Sequence, residues 1–277
     1  MVSTSLEDVA GRARSARAEL RLAAVSYLNA APLVHGLSGE ARFAIERAVP
    51  ALVAERLHSG EADLGMIPSI EYARGDYKVV PGVAIASRGA VRSVELFLRG
   101  QLTDVRRVAV DSGSRTSVAL ARLVLRERLS REPVYVAQAP DVPRMLESCD
   151  AALVIGDAAL YYQGPAERLD LGEEWRSLTG LPFVWAFWAG RPGALPAADV
   201  ARLQRAQAEG LAAIPEIARS WSDGDPARAA GNESYLRDNI AYQLGPEELR
   251  GLREFYVRVH AAGLIPRIPE IHLYADR

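Results

Sequence analysis

VRRVAVDSGSRTSVALARLVLRERL, residues 105–129, holds two kinds of segment joined by one short loop. Val105 to Val110 reads as a strand, apolar except at Arg106 and Arg107, and Ser114 to Leu129 reads as a helix. Between them, Asp111-Ser-Gly-Ser-Arg-Thr-Ser117 supplies only one large side chain. A strand, a small-residue turn and a helix are the repeating unit of an α/β sheet covered on its faces.

The same unit recurs on both sides. Leu22 to Val25 is a strand that leads through a polar turn into a helix over Ala30 to Leu37, with Pro32 early in it. Phe43 to Val49 precedes the helix Pro50 to His58, which Ser59 and Gly60 end. Ala62 to Ile67 is a further buried strand, broken by Pro68 and Ser69. Beyond the opening segment, Val134 to Ala137, a helix from Asp141 to Ser148, and Ala151 to Ile155 continue a second series. Two β-rich runs, Val79 to Ser87 and Val91 to Leu98, leave no room for a helix between them, so the chain is expected to cross between lobes there. Leu181 to Ala189, LPFVWAFWA, is the expected return strand. After it the pattern is helical, split at Pro215, with a last helix from Pro246 to Gly263. The predicted architecture is α/β and two-lobed, each lobe a mixed, mostly parallel sheet flanked by helices. Lobe one takes residues 20–98 and 190–277, lobe two takes 99–189, and residues 1–19 form a flexible extension.

Composition narrows the function. The chain has 277 residues, 49% of them hydrophobic, enough for a large core and more than one α/β layer fills. With 33 basic and 35 acidic residues the net charge is −2, which argues against a nucleic-acid surface. Neither a secretory h-region nor a membrane-length apolar run is present, so the expected location is cytoplasmic, with no membrane partner. The single Cys149 excludes an intrachain disulfide and reads as a buried thiol. The four histidines, His35, His58, His260 and His272, do not cluster, so neither a metal triad nor a Ser-His-Asp set is expected. Gly-rich phosphate signatures are absent, and no cofactor is expected.

Ligands of open α/β sheets bind beyond the carboxyl ends of the strands. The residues there are Ser26, Tyr27 and Asn29; Pro68 and Ser69; Ser87 and Ser93; Asp111 to Ser117; and Gly156 with Asp157. Most offer a hydroxyl or a small polar group. The turn at Ser114, Arg115, Thr116 and Ser117 opens a helix whose first amides lack intrahelical partners, a setting that suits a carboxylate. Arg115 has three readings: it pairs with the ligand, faces solvent, or fastens the loop to an acid. Capping by Ser114 and Ser112 explains the same loop without a ligand. Asp157 reads as the cap of a helix over Ala158 to Tyr162, with a catalytic carboxylate as the alternative.

Six blocks, AVSYLNAAPLVHGL (24–37), GEADLGMIPSIEY (60–72), IASRGAVRSVELF (85–97), VAVDSGSRTSVALARLVL (108–125), AALVIGDAAL (151–160) and DLGEEWRSLTGLPFVWAFW (170–188), together resemble the MqnA family, the chorismate dehydratases of the futalosine route to menaquinone. The likeness spans about residues 20 to 265 in order. It implies a type II periplasmic-binding-protein-like fold serving as a cytoplasmic hydro-lyase, with chorismate, a dicarboxylate, as substrate and 3-[(1-carboxyvinyl)oxy]benzoate as product. It also implies that Ser26, Asn29, Ser69, Ser87, Ser93, Ser114, Thr116 and Ser117 line the cleft. Among these, Asn29 with Ser87 or Ser93 would orient the substrate and assist the departing hydroxyl. No histidine or glutamate in the matched blocks stands out as a base, which leaves one of the substrate's own carboxylates for that role. Asn29-Ala-Ala-Pro32 departs from relatives that carry a larger or hydroxylated residue before the proline. Two other readings share the fold: a non-catalytic receptor for a small organic acid, and the sister lyase acting on cyclic de-hypoxanthine futalosine. The receptor normally carries an export or lipid-anchor segment, and the sister lyase carries a different first loop.

Overall fold

The computed structural model describes residues 19–129 and 131–274; of the expected extension at residues 1–19, all but Glu19 lies outside them. Two five-stranded sheets organise the chain. The first has the order β2-β1-β3-β10-β4, built from β1 (Leu20–Val25), β2 (Phe43–Ala48), β3 (Leu64–Pro68), β4 (Lys78–Ser87) and β10 (Phe183–Gly190). The second has the order β7-β6-β8-β5-β9, from β5 (Val94–Leu98), β6 (Arg107–Asp111), β7 (Val134–Gln138), β8 (Ala151–Ile155) and β9 (Glu167–Asp170).

Each sheet has four strands running one way and one reversed, and the reversed strand stands fourth in both orders. β1 pairs in parallel with β2 and β3, while β10 is antiparallel to β3 and β4. β6 pairs in parallel with β7 and β8, while β5 is antiparallel to β8 and β9. The reversed strand is in each case the one that arrives from the other lobe. This corrects the lobe limits drawn from sequence. β5 belongs to the second sheet and β10 to the first, so the crossings lie between Ser87 and Val94 and between Thr179 and Phe183. The boundaries at 98/99 and 189/190 were each one strand late, because an apolar run carries no mark of which sheet receives it.

The strands are fully buried where helices cover both faces, which is why β3, β8 and β10 read as unbroken apolar runs and β5 does so apart from Glu95. In the first lobe α1 (Ala31–Val34), flanked by 3-10 turns, and α2 (Pro50–Ser59) follow β1 and β2. Gly60 ends α2 with φ +84°, the left-handed conformation expected of a glycine after a helix. In the second lobe α3 (Thr116–Arg128), α4 (Val142–Ser148), α5 (Asp157–Leu160) and α6 (Leu171–Thr179) follow the strands. The C-terminal part adds α7 (Ala197–Ala212), α8 (Ile214–Ser220), α9 (Pro226–Ser234), a π-helical turn over Tyr235–Asn239, and α10 (Pro246–Ala261). Pro215 sits in the first turn of α8, so the expected split falls there.

Both crossings are braced. The Asp170 carboxylate caps α6 by accepting from the Gly172 and Glu173 amides at 2.8 and 3.0 Å, and also accepts from the Val91 and Arg92 amides at 3.0 and 2.6 Å. Asn239 donates to the Ala90 carbonyl at 2.9 Å. At the return crossing Phe183 meets Trp175, Phe255 and Trp185 with ring centroids 5.3, 5.0 and 4.3 Å apart, each such pair worth about 0.5–1.5 kcal/mol beyond area burial. Cys149, just after α4, is buried in a small apolar cluster with Phe97, Met145, Ala152 and Val154. Among the described residues no helix is long and apolar enough to cross a membrane.

Candidate functional site

The carboxyl ends of β1, β3, β6 and β8 meet over a cavity with about 520 Å³ of empty space, part of it open to solvent. Its floor is apolar, formed by Val25, Pro68, Ile85, Val94, Ile155 and Trp185. Its polar groups come from the first loop (Tyr27, Asn29), the start of β5 (Ser93) and the start of α3 (Ser114 to Ser117). The SYLN and SRTS turns therefore face one hollow from opposite lobes.

Tyr27 seals one side. Its ring lies on the backbone of Gly156, so closely that a Cβ there would fall 2.7–2.8 Å from three ring carbons. Gly156 has φ +65° and ψ −146°, a conformation open to glycine and costly for other residues. Beside it the Leu28 amide donates to Asp157 Oδ1 at 3.0 Å, from lobe one to lobe two. Asp157 is thus the first residue of α5, with Gly156 at the cap position, and its carboxylate serves the opposite lobe instead of capping its own helix. Burial raises the pKa of Asp157 against the pull of that amide. Burial likewise raises Tyr27, with the Asp111 and Asp157 charges adding to it.

Thr116 joins the lobes on a second side. Its Oγ1 accepts from the half-buried Ile70 amide at 3.2 Å and lies 3.5 Å from the buried Ser69 Oγ. The Ala51 amide donates to the Gly113 carbonyl at 3.1 Å. No side chain caps α3: Arg115 occupies the cap position, and neither Ser114 nor Ser112 bonds to the first turn. The capping explanation of this loop is therefore not the one the fold uses. Instead Asp111 Oδ1 accepts from the Gly113 amide at 2.8 Å and shapes the turn. Arg115 lines the cavity while its guanidinium meets Glu55 at 2.7 Å and buried Glu71 at 3.8 Å, so of its three readings the bond to an acid is present. Glu71 is itself held by His58 Nε2 at 2.8 Å.

The expected site residues separate into two sets. Tyr27, Asn29, Ser93, Ser114, Arg115, Thr116, Ser117 and Gly156 line the one cavity. Ser26, Ser69, Ser87 and Asp157 are not among its lining residues. Ser87 is fully buried, and its Oγ accepts from the Trp185 indole at 3.1 Å, so it supports the floor. Ser69 backs Thr116. Two contributors escaped the sequence reading. Trp185 lies in a run recognised only as a strand, and Tyr235, whose hydroxyl donates to Ser93 Oγ at 2.7 Å, lies in a helical region with no polar motif. Asn29 Oδ1 is buried without a hydrogen-bond partner, on a residue that lines the cavity. Among the described residues no group of three histidine, cysteine or acidic side chains stands close enough to hold a metal.

Solved structures share this architecture. An X-ray structure of a protein from Archaeoglobus fulgidus superposes with a TM-score of 0.71 at 18% identity, over 89% of this chain and 98% of that one. The periplasmic aliphatic sulphonate binding protein of Escherichia coli gives 0.60 at 19% identity, over 95% of each chain. The fold is therefore periplasmic-binding-protein-like. In sequence, the chorismate dehydratase of Thermus thermophilus is 34% identical over 254 residues, covering 83% of this chain and 91% of that protein. The model of the menaquinone biosynthesis family matches residues 20–261, which take in both walls of the cavity and both crossings, and the chain belongs to that family.

Proposed function

We propose that this protein is a hydro-lyase that removes water from chorismate to give 3-[(1-carboxyvinyl)oxy]benzoate, and that it works in the cytoplasm, where a biosynthetic enzyme meets its substrate. The carrying observation is the pairing, in one cavity, of an unsatisfied buried acceptor on Asn29 and the Ser93 hydroxyl with an uncapped helix start. A dicarboxylate fits it: one carboxylate takes the first amides of α3, where the helix dipole favours an anion. The apolar floor takes the ring.

The reaction breaks one C–H and one C–O bond; a base takes the ring proton and passes it to the departing hydroxyl, which leaves as water, while the C–H electron pair completes the aromatic ring. Aromatisation supplies the driving force, so the protein must hold geometry, exclude water and support the departing hydroxyl. Asn29 and Ser93 orient the substrate and support the departing hydroxyl in this reading, with Ser87 acting behind them through Trp185. A carboxylate of the bound substrate, held by the closed cleft, takes the proton. Arg115, Ser114, Thr116 and Ser117 bind substrate; Tyr27 and Gly156 close over it, while Ser26, Ser69 and Asp157 support those walls from behind.

The test mixes purified protein with chorismate, adds no metal or nucleotide, and follows ultraviolet absorbance and mass for the aromatic product. Turnover is expected, and N29A is expected to lower kcat/KM at least tenfold. Tight chorismate binding by folded wild-type protein without product would replace the enzyme with a receptor.

A further inference from the structure

We infer that Tyr235 is a positioning residue of this cleft, holding the Ser93 hydroxyl so that its proton points toward the bound substrate. The inference rests on the dehydratase reading above. Ser93 and Tyr235 are each 1% exposed, and the tyrosine hydroxyl donates to Ser93 Oγ at 2.7 Å. A serine hydroxyl has one proton and two acceptor sites. With Tyr235 donating to it, the serine proton turns away from the tyrosine, and Ser93 lines the cavity. Tyr235 does not line it, so it reaches substrate only through its neighbour.

Both hydroxyls sit in a low-dielectric interior, where a hydrogen bond is electrostatically stronger than in water. Burial raises the tyrosine pKa, so it remains a proton donor through the neutral range.

The backbone is built for this. Tyr235 opens the π-helical turn that follows α9, and such turns insert an extra residue that re-aims a side chain. The turn is pinned by Ala241 pairing with Ala86 of β4, at 2.8 Å in both directions, and by Asn239 on the Ala90 carbonyl of the crossing segment.

The experiment compares wild type, Y235F, S93A and the double variant by kcat, KM and thermal midpoint with chorismate. Y235F is expected to lower kcat roughly tenfold, the scale of one hydrogen bond's misdirection, with KM within about threefold. On the S93A background the same change should add nothing, because the tyrosine acts through the serine. A kcat for Y235F within twofold of wild type, or losses that multiply in the double variant, overturns the inference. Inactive wild-type protein overturns the dehydratase reading and this inference with it; active wild type with unaffected Y235F overturns the inference alone. If Y235F does not fold, site-specific 3-fluorotyrosine at this position keeps the ring and strengthens the donor. It should change kcat with Ser93 present and not on the S93A background; an equal response in both overturns the assignment.

Discussion

Replacing Gly156 by alanine tests whether closure of the lobes over Tyr27 governs catalysis. Two separable penalties are expected. The first is local: φ +65° with ψ −146° is strained for a residue with a Cβ, at about 1–3 kcal/mol, in open and closed forms alike. It lowers the thermal midpoint and leaves closure unaffected. The second is the clash of the new Cβ with three Tyr27 ring carbons at 2.7–2.8 Å, which exists only when the lobes meet. Displacing a packed ring costs about 1–3 kcal/mol, so the closed population and kcat/KM should fall by about 5- to 150-fold. A second variant separates them: Y27A on the G156A background removes the clash and keeps the strain. Activity of the pair should then be no worse than that of Y27A alone, while the midpoint stays low. The assay is kcat/KM for chorismate with thermal unfolding on all four proteins. G156A with kcat/KM within twofold of wild type, at a lowered midpoint, would refute the closure argument.

Two further substitutions probe the frame. Thr116→Val keeps the shape and removes the acceptor of the Ile70 amide, leaving a half-buried donor unpaired at about 1 kcal/mol; KM for chorismate should rise about fivefold, and an unchanged KM would show that this bond does not couple the lobes. Glu95 in β5 is buried, and burial, reinforced by the Asp170 charge, pushes its pKa from 4.5 up to about 7. A carboxyl raised on folding favours the folded state below pH 4.5 and loses that advantage as pH rises toward about 7. The span, at about 1.4 kcal/mol per pH step, is worth about 3 kcal/mol, so E95Q should flatten the fall in stability between pH 5 and pH 8 and be more stable than wild type at the upper end. Equal pH slopes in urea unfolding of the two proteins would contradict this.

Much of the fold is legible because its signals are local. The glycine after Pro50–Ser59, the proline that splits α7 from α8, and the small residues between β6 and α3 each fix one backbone feature by themselves. The loops at the strand ends are legible for the same reason, and nine of the residues singled out there line the cavity. What escaped depends on long-range placement. β5 and β10 look like any buried strand, yet each reverses direction and joins the other lobe. Ser87 and Ser93 lie six residues apart in one segment, and only the crossing between them turns one to the Trp185 indole and the other to the cavity. Asp157 looked like a cap because a cap is local, whereas its partner is the Leu28 amide. Tyr235 lies in a helical stretch whose π-helical turn has no signature in composition.

The most direct test is a crystal structure of the N29A protein soaked with chorismate. The substrate ring is expected on Trp185 and Ile85, one carboxylate on the first amides of α3, and the departing hydroxyl within hydrogen-bond reach of Ser93 Oγ, with Tyr27 against Gly156. Chorismate bound outside this hollow, or in it with its hydroxyl turned from Ser93 and both carboxylates remote from α3, would contradict the account.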